Sequence, residues 1–139
     1  MDKNIASVKS VYTIDLDSFG DDRGILTSIE QNKCIPIEIK RIFYMHHLTE
    51  NRGGHAHIDT DQVIIAISGS FKLKVFDGVN EDIYLLDDCT KCIYTPRLTY
   101  CDLYDFSVDA VCLVLANTYY DIKMSLRKRD DYIQYLNFN

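Results

Sequence analysis

The segment RGGHAHIDTDQ at residues 52–62, followed by Gly69, is the most informative stretch of the chain. Residues two apart on a β-strand face the same way, so His55 and His57 are predicted to point together. A Gly-Gly loop leads into the pair, and Gln62 follows it across a predicted bend. Two imidazoles directed into one interior make a poor apolar core, which indicates a functional site in a strand-rich fold.

The flanking sequence predicts many short strands and little helix. Runs rich in Val, Ile, Tyr and Thr alternate with Gly, Asp and Asn turn signals through residues 1–116. Helical spacing is confined to residues 121–136. This pattern favours an all-β antiparallel sandwich or barrel with a short C-terminal helix over a parallel α/β sheet. The predicted strands are residues 8–16, 25–30, 35–48, 55–58, 62–68, 70–76, 83–86, 91–94, 100–104 and 110–116.

Length and composition limit the class of protein. A chain of 139 residues with 47% apolar and 26% charged residues predicts one globular domain, spanning residues 1–139. Its net charge of −6 argues against nucleic acid or an anionic membrane surface as a partner. A small anionic ligand is still compatible with this charge, because two or three well-placed cations can hold it.

The N-terminal sequence and the cysteines predict a cytoplasmic protein. No long apolar run that would indicate a signal peptide or a transmembrane helix is found, and the longest apolar stretch is residues 63–67. The five cysteines are an odd number, which fits a reducing compartment. Cys89 and Cys92 form a lone C-x-x-C without a second pair or a following helix, and we interpret it as coincidence.

The histidine segment resembles the first motif of the cupin superfamily. That motif has a Gly-rich lead, His-x-His, an acidic residue four or five positions later, and a glycine after six more. The resemblance implies a jelly-roll barrel with both imidazoles inside. The second cupin motif has a proline followed about five residues later by a histidine, whereas here Pro96 is followed by Cys101.

These departures bear on whether the site binds a metal. Gln62 stands where the acidic ligand is expected, and Cys101 stands where the second-motif histidine is expected. Two histidines and a cysteine can hold zinc, so a metal-dependent cupin enzyme is one alternative, and a purely structural pair of histidines is another. We favour proton transfer without metal or cofactor, because histidine titrates near neutrality and two close imidazoles oppose each other's protonation.

An ordered set of blocks resembles a narrower family, the nucleotide-sugar 3,4-ketoisomerases that act on dTDP-4-keto-6-deoxyglucose. The match runs in register from about residue 8 to about residue 136, with RGGHAH at its centre. The blocks are DRG at 22–24, NKCIP at 32–36, IKRIFY at 39–44, RGGHAH at 52–57, QV at 62–63, GS at 69–70, DG at 77–78, DFS at 105–107, VLA at 114–116 and YYD at 119–121.

The resemblance implies a sugar tautomerisation that needs neither metal nor cofactor. A histidine would take the proton from C3 of the sugar, next to the C4 ketone, and the enediol would be reprotonated at C4. We assign His55 as the base at C3 and His57 as its partner in proton relay, with the reverse order as the alternative. Arg52 and Tyr44 are candidates to stabilise the enediolate oxygen.

The same resemblance suggests further substrate contacts. Arg41 and Lys72 are candidates to neutralise the diphosphate, although lone strand cations are as often surface residues. The family uses the position of Arg23 beside the sugar, and Arg23 matches the subgroup that makes the galacto-configured 3-keto product. Many relatives carry Trp-His where this chain has Tyr100-Cys101. We therefore favour the galacto product, with a mixture of galacto and gluco as the alternative.

The family also implies a homodimer that works in the biosynthesis of a 3-amino-3,6-dideoxy sugar, for a bacterial surface polysaccharide such as lipopolysaccharide or another glycan. An N-terminal strand at residues 8–16 could cover an open edge of a neighbouring barrel. Two other functions stay open besides the metal enzyme. One is a non-catalytic sugar-binding cupin, and the other is a related epimerase that exchanges protons at C3 and C5.

Overall fold

Two five-stranded antiparallel sheets face each other in this computed structural model, which describes residues 6–138. The first sheet contains, in spatial order, β1 (Tyr12–Asp15), β9 (Lys91–Thr95), β6 (Gln62–Ser68), β11 (Val111–Ala116) and β4 (Arg41–Met45). The second sheet contains β12 (Ser125–Leu126), β5 (Arg52–His57), β10 (Tyr100–Tyr104), β7 (Phe71–Phe76) and β8 (Glu81–Leu86). A separate hairpin consists of β2 (Asp17–Asp21) and β3 (Gly24–Ser28), and helix α1 covers Arg129–Phe138. The predicted all-β class with one short C-terminal helix is confirmed.

The main core lies between the two sheets. Ile64 of β6 and Val114 of β11 meet Leu73 and Val75 of β7 there, all at most 2% exposed. The opposite face of β6 is also buried, because an irregular segment containing Ile35 and Ile37 packs over it. Burial on both faces explains why β6 reads as a nearly continuous apolar run.

Helix α1 covers the outer face of the second sheet. Tyr132 in the helix is fully buried, and its hydroxyl donates to the backbone oxygens of Phe76 and Leu98 at 3.1 and 2.7 Å. Ala56 of β5 and Leu126 of β12 pack in the same cluster. The helix therefore fixes β12 against the edge of β5. No helix among residues 6–138 is long and apolar enough to span a membrane.

The C-terminal element differs from the predicted helix at residues 121–136. The chain instead makes a 3₁₀ turn at Ile122–Met124, capped by the Asp121 carboxylate, and then pairs as β12 before α1 begins at Arg129. Only the last part of the predicted segment is helical, because residues 125–126 complete their hydrogen bonds with β5 rather than within a helix.

Two other predicted strands are shorter than expected. Within residues 35–48 only Arg41–Met45 forms a strand, and the earlier part serves as the irregular cover of the first sheet. Residues 8–16 form a 3₁₀ turn at Val8–Ser10 followed by β1, which pairs with β9 of the same chain. Among the described residues β1 pairs on one side only, with β9, and it therefore forms one edge of the first sheet.

The β2–β3 hairpin forms a separate two-stranded sheet, unpaired with any other strand in the described part of the chain, and presents large apolar side chains to solvent. Phe19, Ile25 and Leu26 are 66%, 73% and 62% exposed. The outer strand β4 of the first sheet likewise exposes Ile42 and Tyr44. An isolated two-stranded hairpin is only marginally stable by itself. The exposed apolar side chains of the hairpin and of β4 are therefore candidates for contact with a second protein chain.

Candidate active site

His55 and His57 lie side by side on the inner face of β5. Their ring centroids are 4.9 Å apart and the rings are nearly perpendicular, at 87°. Ala56 between them faces the opposite side of the sheet and is fully buried under α1. The period-two alternation that the sequence predicts therefore brings both imidazoles to one place.

Glycines at the start of β5 allow this strand to approach β10 closely. Gly53 and Gly54 have φ values of +93° and +70°, a region that L side chains rarely occupy. A Cβ atom at Gly53 would lie 2.7 Å from the backbone oxygen of Cys101. Gly53 is thus a steric requirement of the β5–β10 contact, whereas Gly54 is favoured by its backbone conformation.

The loop after β5 is held by a carboxylate network. Asp61 accepts hydrogen bonds from the backbone N–H and side chain of Arg97 and from the Asn117 amide, at 2.7 to 3.2 Å. Burial alone would raise the pKa of Asp61, but its bonds to Arg97 leave that pKa lowered. This network ties together three loops at the end of the barrel where β5 finishes and β6 begins with Gln62.

A cavity of about 610 Å³ opens over the two histidines. Three arginines reach it, namely Arg41, Arg52 and Arg127, and its wall contains no carboxylate among the residues that the structure describes. The cavity is therefore electropositive and suited to an anionic ligand. The full lining is Arg41, Phe43, Met45, Asn51, Arg52, Gly53, His55, His57, Gln62, Ile64, Cys101, Leu103, Val114, Tyr120 and Arg127.

Both histidines are held in the neutral form. Burial lowers the pKa of His55 below its usual value, and burial together with the neighbouring His55 and the Arg41 charge lowers the pKa of His57 to about 4. A neutral imidazole carries one N–H and one lone pair, so each ring can accept and donate a proton near pH 7.

Two nitrogen atoms in this region are buried without a hydrogen-bond partner, Nδ1 of His55 and Nε of Arg41. Buried polar atoms are nearly always paired, which makes these two atoms unusual. The Arg41 guanidinium also lies 5.3 Å from the centroids of the Phe43 and Tyr120 rings. Arg41 is thus fixed between aromatic rings while part of its donor capacity is unused.

Cys101 lies opposite His55 in the β10–β5 pairing. Burial raises the pKa of its thiol to about 12, and the thiol donates to the Thr99 backbone oxygen at 3.6 Å. The sulfur is therefore protonated near neutrality. Across residues 6–138, no three His, Cys, Asp or Glu side chains are grouped so that they could hold a metal ion.

A second, much smaller chamber lies behind the histidines. Its volume is about 20 Å³, which is the size of one water molecule. Cys101 occupies part of this wall, and a larger side chain at that position would reach toward both chambers. The chamber is lined by His55, His57, Thr60, Gln62, Thr95, Pro96, Thr99 and Cys101.

The structure brings some of the predicted site residues together and separates others. Arg41, Arg52 and Cys101 line the cavity with the histidines. Tyr44 points outward from β4 and is 64% exposed, and Lys72 is on the outer face of β7, where it pairs with Asp105 at 3.1 Å.

Arg23 lies in the exposed turn of the β2–β3 hairpin, paired with Asp21, and does not line the cavity of its own chain. Its guanidinium and the Asp21 carboxylate face solvent, so the pair contributes little to stability. Any role of Arg23 in the reaction therefore requires a cavity other than that of its own chain.

Several cavity residues were not predicted from the sequence. Arg127 is in the segment for which the sequence predicts a helix, but it follows β12 directly and reaches the rim of the cavity. Tyr120 and Ser125 also approach the site. Only the alternation of Ser125, Leu126 and Arg127 could have indicated a strand here, and two residues are too short a strand for periodicity to reveal.

Comparisons with known proteins place the sequence and the fold in one family. The family model described as "FdtA: WxcM-like, C-terminal" matches residues 9–137. The TDP-4-oxo-6-deoxy-alpha-D-glucose-3,4-oxoisomerase of Aneurinibacillus thermoaerophilus is 36% identical over 118 residues, covering 84% of this chain and 85% of that protein.

Solved structures of the same kind of enzyme superpose closely. The sugar 3,4-ketoisomerase QdtA of Thermoanaerobacterium thermosaccharolyticum, in complex with TDP, matches with a TM-score of 0.90 and 33% identity, over 94% of this chain and 97% of that one. A 3,4-ketoisomerase of Helicobacter canadensis matches with a TM-score of 0.89 and 31% identity, over 91% and 97% of the two chains.

Proposed function

This chain belongs to the FdtA-type sugar 3,4-ketoisomerase family and is an isomerase, and from that membership we propose that it converts dTDP-4-keto-6-deoxy-D-glucose into a dTDP-3-keto-6-deoxyhexose. The observation that carries the proposal is the cavity in which two neutral histidines lie under three arginines. Proton transfer on an anionic, nucleotide-linked sugar needs both features.

The reaction moves one proton from C3 to C4 and one from the C3 hydroxyl to the C4 oxygen. His55 takes the C3 proton, which is acidified by the adjacent ketone, and the C4 oxygen becomes an enediolate. His57 relays the hydroxyl proton between the two oxygens, and reprotonation at C4 leaves the ketone at C3. The short separation of the two neutral rings supports these two roles, because both rings can reach the same sugar and each must accept and return a proton.

Two arginines are placed to stabilise negative charge. Arg52 begins β5, three residues before His55, and we assign it to the enediolate oxygen. Arg41 has an unpaired buried Nε and reaches the same cavity, so we assign it to the diphosphate. Lys72 is on the outer face of the second sheet, which separates it from this ligand.

We further propose a homodimer in which the β2–β3 hairpin of each protomer packs along β4 of its partner. Phe19, Ile25 and Leu26 on the hairpin would cover Ile42 and Tyr44, and all five side chains are exposed in the monomer. Such packing would bury these exposed apolar surfaces and protect the open edge of β4. It would also carry Arg23 toward the partner's cavity, which its own chain does not allow.

The proposal also covers the configuration of the product, the reaction that uses it and the location of the enzyme. Arg23 beside the sugar favours the galacto product, and the neutral Cys101 thiol makes a mixed product the alternative. A 3-keto sugar is the substrate for an aminotransferase that makes a 3-amino-3,6-dideoxy sugar. We place the enzyme in the cytoplasm, in the biosynthesis of a lipopolysaccharide or another glycan.

The test is NMR of dTDP-4-keto-6-deoxyglucose with the metal-stripped protein in heavy water. We expect conversion to a 3-keto sugar with deuterium incorporation, loss of conversion in His55→Asn, and wild-type conversion in the control His46→Asn, whose side chain is exposed outside the cavity. Activity that requires added metal would favour a metal cupin. Tight binding without exchange at C3 would favour a sugar-binding protein, and exchange at C3 and C5 with the ketone still at C4 would favour an epimerase.

A further inference from the structure

We propose that Ser125 is a positioning residue for His57, whose Nδ1–H donates to the Ser125 hydroxyl so that Nε2 is presented to the cavity as the proton acceptor. This inference rests on the proposed function and adds to it a residue outside the cupin motif. It concerns the C-terminal segment, which the sequence predicts to be a helix and which the structure places against the histidines.

The register of β12 on β5 determines the contact. Ser125 pairs directly with His57, and Leu126 pairs with Ala56. Residues directly opposite in an antiparallel pair project from the same face, so the Ser125 side chain shares the inner face with the imidazole. The distance from Ser125 Oγ to His57 Nδ1 is 3.4 Å, and Leu126 points to the other face, beneath α1.

The contact is held from both sides by backbone hydrogen bonds. Ile58 N–H donates to Met124 O at 2.8 Å, just before β12, and Leu98 N–H donates to His57 O at 2.8 Å. The buried Tyr132 hydroxyl then anchors α1 to Leu98 and Phe76. Ser125 therefore lies on a segment whose position is set by the helix, which is what a positioning residue requires.

The direction that we propose for this hydrogen bond is the one that His57 can keep both before and after it accepts a proton at Nε2. The groups that act on His57 are His55, Arg41 and Arg127, which disfavour its charged form, and Asp59, which favours it, and burial adds to the first effect. His57 is therefore neutral before the reaction, and only one of its two nitrogens carries a proton. An acceptor at Nδ1 selects the tautomer with a free lone pair on Nε2, and the same hydroxyl still accepts from Nδ1–H after Nε2 has gained a proton.

The test is the tautomer of His57, read from two-bond ¹⁵N–¹H correlations of the full-length protein labelled at histidine, with His57→Gln to identify the signal. We expect the Nδ1–H form in the wild-type protein near pH 7. In Ser125→Ala we expect a shift toward the Nε2–H form and a loss of kcat of about tenfold to a hundredfold with KM nearly unchanged. Ser125→Thr, which keeps a hydroxyl, should restore both readouts.

Matched controls separate this role from a general effect on folding. Lys128→Ala changes an exposed side chain on the same segment and should alter neither the tautomer nor kcat. An Nε2–H tautomer in the wild-type protein overturns the proposal without any variant, and so does an unchanged tautomer in Ser125→Ala. Because the tautomer is measured without substrate, it decides the role of Ser125, whereas conversion of the keto sugar by the wild-type protein decides the proposed function.

Discussion

Cys101 lies directly opposite His55 in the pairing of β10 with β5, so a neutral thiol adjoins the residue that we assign as the base. The family resemblance implies a histidine at this position in many relatives, and an imidazole can both donate and accept a proton near neutrality. A thiol with a pKa of about 12 does so poorly. We therefore expect the presence of cysteine rather than histidine at position 101 to affect mainly the face of C4 that receives the proton.

Replacing Cys101 by histidine is therefore expected to raise the galacto fraction of the product. The imidazole would provide the directed proton donor that the thiol lacks, and the adjoining cavity has room for it. The ratio of axial to equatorial C4 hydroxyl, measured from NMR coupling constants, reports the change. Cys101→Ala is the control and should keep the wild-type ratio, and an identical ratio in all three proteins would separate Cys101 from the stereochemistry.

The proposed dimer predicts that Arg23 acts in the partner's cavity. Arg23→Ala and His55→Asn are each expected to lose most activity when pure. Co-expressed in equal amounts, they should recover about a quarter of wild-type activity, because half of the randomly assembled dimers are mixed and each mixed dimer has one intact site.

The turn itself supplies the matched control for this experiment. Asp22→Ala removes the exposed side chain next to Arg23 and should be active without complementation. No recovery in verified mixed dimers would contradict a contribution of Arg23 in trans. Sedimentation of the wild-type protein as a monomer of about 16 kDa would contradict the dimer itself.

The pKa of His57 predicts a specific dependence of stability on pH. The unfolded chain binds a proton at this residue near pH 6.5, whereas the folded protein resists protonation until about pH 4. The contribution of neutral His57 is therefore complete above pH 6.5 and is lost as the pH falls toward 4. His57→Gln should show a smaller loss of unfolding free energy across this interval.

Urea denaturation at fixed protein concentration and at several pH values between 7.5 and 4 measures this effect. The exposed His46→Gln variant is the matched control and should follow the wild-type curve. Parallel curves for His57→Gln and the wild-type protein would show that His57 is not protected from protonation in the folded state.

Removal of the Tyr132 hydroxyl is expected to destabilise the protein. Tyr132→Phe leaves two backbone oxygens without the donor that they share in a fully buried cluster, which costs about 1–3 kcal/mol. Because α1 holds β12 in place, kcat should also fall. Thermal and urea unfolding measure the stability, with the exposed Tyr119→Phe as a control that should be neutral. A Tyr132→Phe protein as stable as the wild type would contradict the role of the Tyr132 hydroxyl in fixing α1 and, through it, the segment that carries Ser125.

The histidine pair could be predicted from the sequence because it depends on local geometry alone. Alternation on β5 brings His55 and His57 to one face in any sheet that this strand joins, and the Gly-Gly lead marks the close approach of β10. The strand-rich class could be predicted for the same reason, since short apolar runs and turn residues are features of neighbouring positions in the chain.

The remaining parts of the site were decided by tertiary structure. Ser125 is 68 residues from His57, and it meets the imidazole because β12 pairs with the edge of β5, next to helix α1 and its buried Tyr132. Arg23 is away from the cavity of its own chain for the opposite reason, since no other strand among residues 6–138 pairs with the hairpin that carries it. Local periodicity determines which face of a strand a side chain occupies, whereas the packing of distant elements determines which side chains share that face.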